Sequence, residues 1–135
     1  MYDPIVILIA AIAQIVIGSF WYSPAGFGKI WVKEMKFTSK DMEKAKAKGM
    51  GKTYLAAFVG SILTAFVMSR IILLTNATSA GAGAATAVLL WLGFAVPLVL
   101  SSTLWEGKSV KLFMIGIAYY LVSFVVVGAI TGALV

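Results

Sequence analysis

The chain has 135 residues, 61% of them hydrophobic and only 12% charged, with a formal net charge of +6. An ordinary soluble domain is about one quarter charged, so this chain has too little polar surface to cover a water-soluble globule, and lipid is its expected solvent. Cysteine and histidine are both absent, which excludes disulfides and thiol nucleophiles and removes the commonest general base and metal ligand.

The first apolar run covers about residues 4–22, with Asp3 as N-cap and Pro4 as first helical residue. At 1.5 Å per residue it is about 28 Å long, enough to cross a bilayer. Ala11-Ile12-Ala13 imitates a signal-peptidase site. No basic residue precedes the run, however, and an apolar stretch ending there is very short, so a retained span is expected. Gln14 sits near the middle, flanked at spacing four by the small Ala10 and Gly18. An amide in hydrocarbon is costly without a partner, so Gln14 should face protein or water. Interhelical glue and the wall of a polar pathway are the two readings.

Residues 23–52 form a basic connection, entered through the interfacial segment Trp21, Tyr22, Ser23, Pro24, Phe27, Gly28 and Trp31. Trp21 and Tyr22 suit the headgroup boundary, where a ring buries its body and wets its polar atom. Pro24 disfavours helix at Ser23, and the pair restarts one with Ser23 as N-cap. On that helix Lys29, Lys33, Lys36 and Lys40 share one face, opposite Phe27, Ile30, Trp31 and Met35. The pattern predicts an amphipathic helix in the cytoplasmic interface, rings down and lysines toward anionic lipid; a lid over the bundle mouth is the alternative. Thr38 to Asp41 resembles the capped start of a second short helix reaching about Lys48, ended by Gly49 and Gly51.

The second run covers about residues 53–75, the third 84–105 and the fourth 110–135, with an uncharged turn at 76–83 and a tighter one at 106–109. Ala56, Gly60 and Thr64 form a small-residue stripe in the second, and Gly128 to Gly132 is a GxxxG motif in the fourth. Both point to close helix packing. Arg70 lies about 27 Å along a helix from Lys52, hence near the outer interface, where snorkelling explains it. Asn76-Ala77-Thr78 matches a glycosylation acceptor but reads as a turn. Pro97 frees a carbonyl near Gly93 and should kink the third span, with Ser101, Ser102 and Thr103 near enough to satisfy it. Gly116, Tyr120, Ser123, Val127 and Thr131 share one face of the fourth. Gln14, Ser101, Tyr120 and Ser123 are therefore the candidates for a polar pathway or interhelical contact. Glu106 beside Lys108 and Lys111 reads as an interfacial ion pair, with a proton-coupling carboxylate as the alternative.

Lysines crowd into the first and third connections, while the other side has only Arg70. The positive-inside rule then places those connections in the cytoplasm and both termini outside. Placement beside apolar runs argues for anionic lipid, not nucleic acid, as the partner of the positive charge.

Trp21-Tyr22-Ser23-Pro24, Phe27-Gly28 and Trp31 resemble the signature of a bacterial domain-of-unknown-function family of small four-span membrane proteins. Trp91-Leu92-Gly93-Phe94, Trp105-Glu106-Gly107-Lys108, Lys111-Leu112-Phe113 and Tyr120 are similar to its second half. The resemblance covers nearly the whole chain. It implies the four-span topology and supplies no activity.

The expected fold is an all-α integral membrane protein: a single four-transmembrane-helix bundle in the bacterial inner membrane, with a cytoplasmic amphipathic interfacial helix after the first span. An enzyme is not expected, since the spans offer hydroxyls without a base or convergent metal ligands; no cofactor or metal is implied. Two functional classes remain. The preferred one is a homo-oligomeric channel or transporter for a small solute. The other is a non-transporting interaction protein presenting its basic helix to anionic lipid or a partner. A polar path aligning Gln14, Ser101 and Ser123 would favour the first, and a dry, alanine-filled core the second.

Overall fold

Apolar length dictates the architecture. The computed structural model describes residues 4–135, so the expected N-cap Asp3 lies outside the described residues. Within them the chain forms α1 (Pro4–Trp21), α2 (Gly28–Glu34), α3 (Ser39–Lys48), α4 (Gly51–Leu74), α5 (Ala80–Leu90), a π-helical turn (Trp91–Ala95), α6 (Val96–Glu106) and α7 (Val110–Leu134). Four helical segments are long and apolar enough to span a bilayer: Pro4–Trp21, Gly51–Leu74, Ala80–Glu106 and Val110–Leu134. The protein is an all-helical, four-span membrane protein.

The third span begins at Ala80, earlier than its apolar pattern suggests. The Ala82 N–H donates to Ser79 Oγ at 3.1 Å, which caps the helix, so the Gly/Ala stretch that reads as a turn is its first turn. The absence of side chains there serves packing. A Cβ on Gly83 would run into the Gly128 carbonyl, and one on Gly132 into the Ser79 carbonyl. Gly128 and Gly132 therefore let α7 meet α5 backbone to backbone within one chain. Gly60 does not pack this way. It is exposed on α4, and a Cβ built there would meet nothing within 4 Å.

The core follows the same logic. Ala10, Ala65, Ile72, Ala87 and Val127 are fully buried, joined by Ile7, Met68 and Ala77. All lie in the half of the bundle away from the basic connection. The large residues Leu55, Val59, Leu63, Leu98 and Leu104 are turned outward, as expected where hydrocarbon is the solvent.

Pro97 lacks an N–H, and the helix answers by widening rather than by a bond from Ser101, Ser102 or Thr103 to the freed carbonyl. The Val96 N–H bonds to the Trp91 carbonyl five residues back. In an α-helix, positions spaced by four drift by about 40° per step. The π turn absorbs that drift. Gly83, Ala87 and Ala95 are buried, Trp91 donates its indole N–H to the Ile117 carbonyl at 2.8 Å, and Val99 lies against Gly116 of α7.

The basic connection departs from the single amphipathic helix that its lysine spacing suggests. Ser23 does not cap a helix running from Pro24. Its hydroxyl donates back to the Phe20 carbonyl at 2.6 Å, and the Ser23 carbonyl accepts from the N–H groups of Gly26 and Gly28. Gly28 must be glycine here, because a Cβ would strike the carbonyls of Tyr22 and Ser23. Helix α2 ends at Glu34, Lys36 adopts a left-handed φ of 60°, and Thr38 opens α3 with a capping box. The Asp41 N–H donates to Thr38 Oγ1 at 3.1 Å, while the Thr38 N–H donates to Asp41 Oδ2 at 2.9 Å. Two satisfied end groups favour a new helix over prolonging the old one. Lys29 and Lys33 thus lie on α2, Lys36 in the turn and Lys40 on α3, all four exposed but not on one face.

Candidate binding cleft

Where α6 continues beyond the π turn it packs on α7 and not on α4, and a cleft of about 530 Å³ opens between them. Gln14 and Tyr22 come from the first span and its end, Trp31 and Met35 from α2 and the turn after it, Thr64 from α4. Phe94, Leu98, Ser102 and Thr103 form the opposite wall, with Gly116, Tyr120 and Phe124 of α7 as the floor. Lys108 stands at the basic end. A second, apolar groove of about 360 Å³ shares Thr64, Phe94 and Phe124 and continues away from the basic end along Leu63, Val67, Ile71 and Leu90.

Depth follows from helix rise. Gln14 precedes Trp21 by seven residues, so it lies about 10 Å below the aromatic belt. It is 8% exposed, and its Oε1 accepts no hydrogen bond from any described protein group. Three hydroxyls have spent their hydrogens locally, whereas Tyr22, Trp31 and Tyr120 bring donors to the basic end of the same cleft. Thr64 Oγ1 donates to the Gly60 carbonyl at 3.1 Å and Thr103 Oγ1 to the Val99 carbonyl at 2.8 Å. Ser102 Oγ donates to Glu106 Oε2 at 2.8 Å, and that oxygen also takes the Lys108 ammonium at 2.8 Å. What these three hydroxyls offer the cleft is lone pairs, while the Gln14 amide offers both an acceptor and donors.

An aromatic cluster closes the basic end. Tyr22 packs edge-on against Trp31 and Tyr119, both at 5.6 Å, and Tyr119 lies 5.1 Å from Tyr120. Trp31 also meets Phe37 at 5.3 Å, so its ring is folded onto this cluster. Trp21 donates its indole N–H to the Ile115 carbonyl of α7 at 3.2 Å, a partner inside the protein rather than in the headgroup layer.

Gln14, Ser101 and Ser123 do not line up. Gln14 borders the cleft, Ser101 is exposed on the outer side of α6, and Ser123 is fully buried outside the cleft with no hydroxyl partner. Tyr120 does reach the cleft. Sequence reasoning passes over Tyr119 and Leu98, meets Phe94 only in the family resemblance, and treats Ser102 and Thr103 as hydroxyls that repair Pro97 or line an uncharged pore. Their spacing of four to five beyond Phe94, on the face set by the π turn, is the signal that carries them.

No curated protein and no solved structure matches the chain. A family described as a protein of unknown function, DUF1761, matches residues 5–132, which takes in all four spans and the basic connection. The chain belongs to the DUF1761 family.

Proposed function

We propose that this is a non-enzymatic, non-transporting interaction protein of the bacterial inner membrane, which takes a membrane amphiphile into the cleft at its cytoplasmic, basic side. One observation carries this reading: polar groups line the cleft only in the half beside the basic connection, while its continuation into the other half is an apolar groove along Leu63, Val67, Ile71 and Leu90, beside a seam of alanine and glycine contacts. A conducting path for a polar solute needs polar lining across both halves. A binding site needs concavity, apolar walls and a few convergent polar groups, which this cleft supplies. The exposed Lys29, Lys33, Lys36 and Lys40 supply attraction to anionic headgroups of the same leaflet, at about 1 kcal/mol per residue near such a surface. Both termini then face outward.

The chain has no cysteine, so single cysteines introduced at Lys44 and Ser79 report orientation without background. In intact cells the first should react only with membrane-permeant thiol reagents and the second with impermeant ones. In liposomes, a diazirine-bearing single-chain lipid should label Phe94 and Leu98 saturably, with no protein-dependent solute release. Solute flux through reconstituted protein would overturn the reading in favour of a channel assembled between copies, and absence of saturable labelling would remove the amphiphile.

A further inference from the structure

The cleft also states what kind of head it holds. We propose that it binds a neutral, single-chain amphiphile whose head carries at least two hydroxyls, seated between Gln14 below and Ser102 and Thr103 above. The chain of that molecule lies in the apolar groove along α4. The proposal rests on the reading that the cleft takes up an amphiphile, and specifies its chemistry.

Hydrogen-bond bookkeeping decides the head. The hydroxyls of Thr64, Ser102 and Thr103 have committed their hydrogens to Gly60, Glu106 and Val99, so each presents only an acceptor. Gln14, more than nine-tenths buried on the cleft wall, adds an amide whose Oε1 has no protein donor. The terminal torsion of glutamine is soft, so a turn of the amide presents either polar atom to the wall. Tyr22, Trp31 and Tyr120 add donors at the basic end, so the wall is satisfied by a head that both donates and accepts, as a hydroxyl does, and a hydroxyl can pair with either end of the amide. An ester or ether head, which only accepts, leaves the acceptors unmet.

Charge narrows the class. No acidic or basic side chain lines the cleft at the depth of Gln14, and at the mouth Lys108 is neutralised by Glu106 at 2.8 Å. A charged head would sit unpaired about 10 Å inside the belt, a costly position in hydrocarbon. A neutral head meets no such penalty. The cleft and groove, about 530 and 360 Å³, join at Thr64, Phe94 and Phe124 and together seat a small head with one acyl chain.

The test uses the full-length protein in zwitterionic phospholipid vesicles and a 1-monoacylglycerol bearing a diazirine on its chain. Saturable labelling is expected on Phe94, Leu98 or Leu63. Unlabelled monoacylglycerol should displace it, and the methyl ester of the same fatty acid should compete about tenfold more weakly, the worth of one hydrogen bond. Gln14→Leu should weaken labelling by a similar factor. Because that variant also changes the bundle, the comparison of ligands on the unaltered protein carries the test alone. Equal competition by the methyl ester would overturn the hydroxyl head while leaving uptake of an amphiphile standing. No saturable labelling by either chain would overturn both.

Discussion

The two halves of this bundle are built from different materials. Away from the basic connection, α5 meets α7 through Gly83, Gly128 and Gly132, and Ala10, Ala65 and Ala87 fill the remaining space. Ser69 and Thr131 there bond their own helices, at the Phe66 and Val127 carbonyls, each 2.8 Å away. On the basic side the third span carries Phe94, Leu98 and Val99 in place of small residues, α6 stands off α4, and polar groups gather around a cleft. Without a hydrophobic drive between helices in lipid, contact goes where side chains are small enough to permit it. Residue size along one span thus sets where its helices close on their neighbours and where they stand apart.

The largest expected effect breaks the closed half. Gly128→Leu drives a side chain into the Gly83 carbonyl and Ala87, neither of which can rotate away. It should cost more than the 1–3 kcal/mol typical of core overpacking, about enough to abolish recovery of monodisperse protein in mild detergent. Gly60→Leu, the same change on the exposed face of α4, should leave thermal stability within error. Equal damage from the two would refute the seam. A changed subunit count in Gly60→Leu alone would instead mark that face as a contact between copies.

The open half should respond in the opposite direction. Gln14→Leu removes an amide whose Oε1 has no protein partner and restores an apolar wall of similar volume. In detergent free of added lipid it should raise stability by about 1–2 kcal/mol, the cost recovered from a buried unpaired polar group. Loss of stability would mean that Gln14 holds helices together after all. Gain of stability with loss of lipid labelling is the signature of a site retained against the interests of the fold.

The hinge between the halves comes next. Trp91→Phe deletes the indole N–H that reaches Ile117 across 2.8 Å, from within the π turn. A loss of about 1 kcal/mol is expected, as for interhelical hydrogen bonds in membranes generally. Trp21→Phe, whose bond to Ile115 is longer at 3.2 Å, should cost less. A reversed order in thermal denaturation would show that ring packing, not the hydrogen bond, decides both.

The four spans were legible because apolar length and turn chemistry are local signals, and Gly128 to Gly132 announced close packing. The cleft was half legible. Gln14 stood out as a lone amide at depth, and Tyr120 by its helical face. Ser101 and Ser123 do not border the cleft: the face of Ser101 depends on the π turn, and the burial of Ser123 on which helix its face meets, neither of which spacing within one span reveals. The lysine pattern misled for a related reason: a period of 3.6 was counted through Lys36, where the backbone is left-handed and the helix has stopped.

That break gives the smallest prediction, and a way to show that α3 is an independent helix and not the tail of α2. The capping box depends on an ionised carboxylate: the Thr38 N–H and hydroxyl, by their hydrogen bonds, hold the Asp41 carboxyl below its ordinary value of 3.8. Protonation is therefore harder in the folded cap than in the frayed, open end of the helix, so the cap's contribution is complete above the ordinary carboxylate pKa. It is lost as pH falls through the lower, folded value. Asp41 is fully exposed, so the effect is local, weakened by salt, and leaves the spans intact. Backbone carbon chemical shifts at Lys40 to Lys44 should lose helical character as pH falls below the ordinary carboxylate range, while those of α4 stay fixed. In Asp41→Asn the same shifts should be less helical at neutral pH and flat through that window. An unchanged titration in the variant would assign the transition to another group and leave the start of α3 to Thr38 alone.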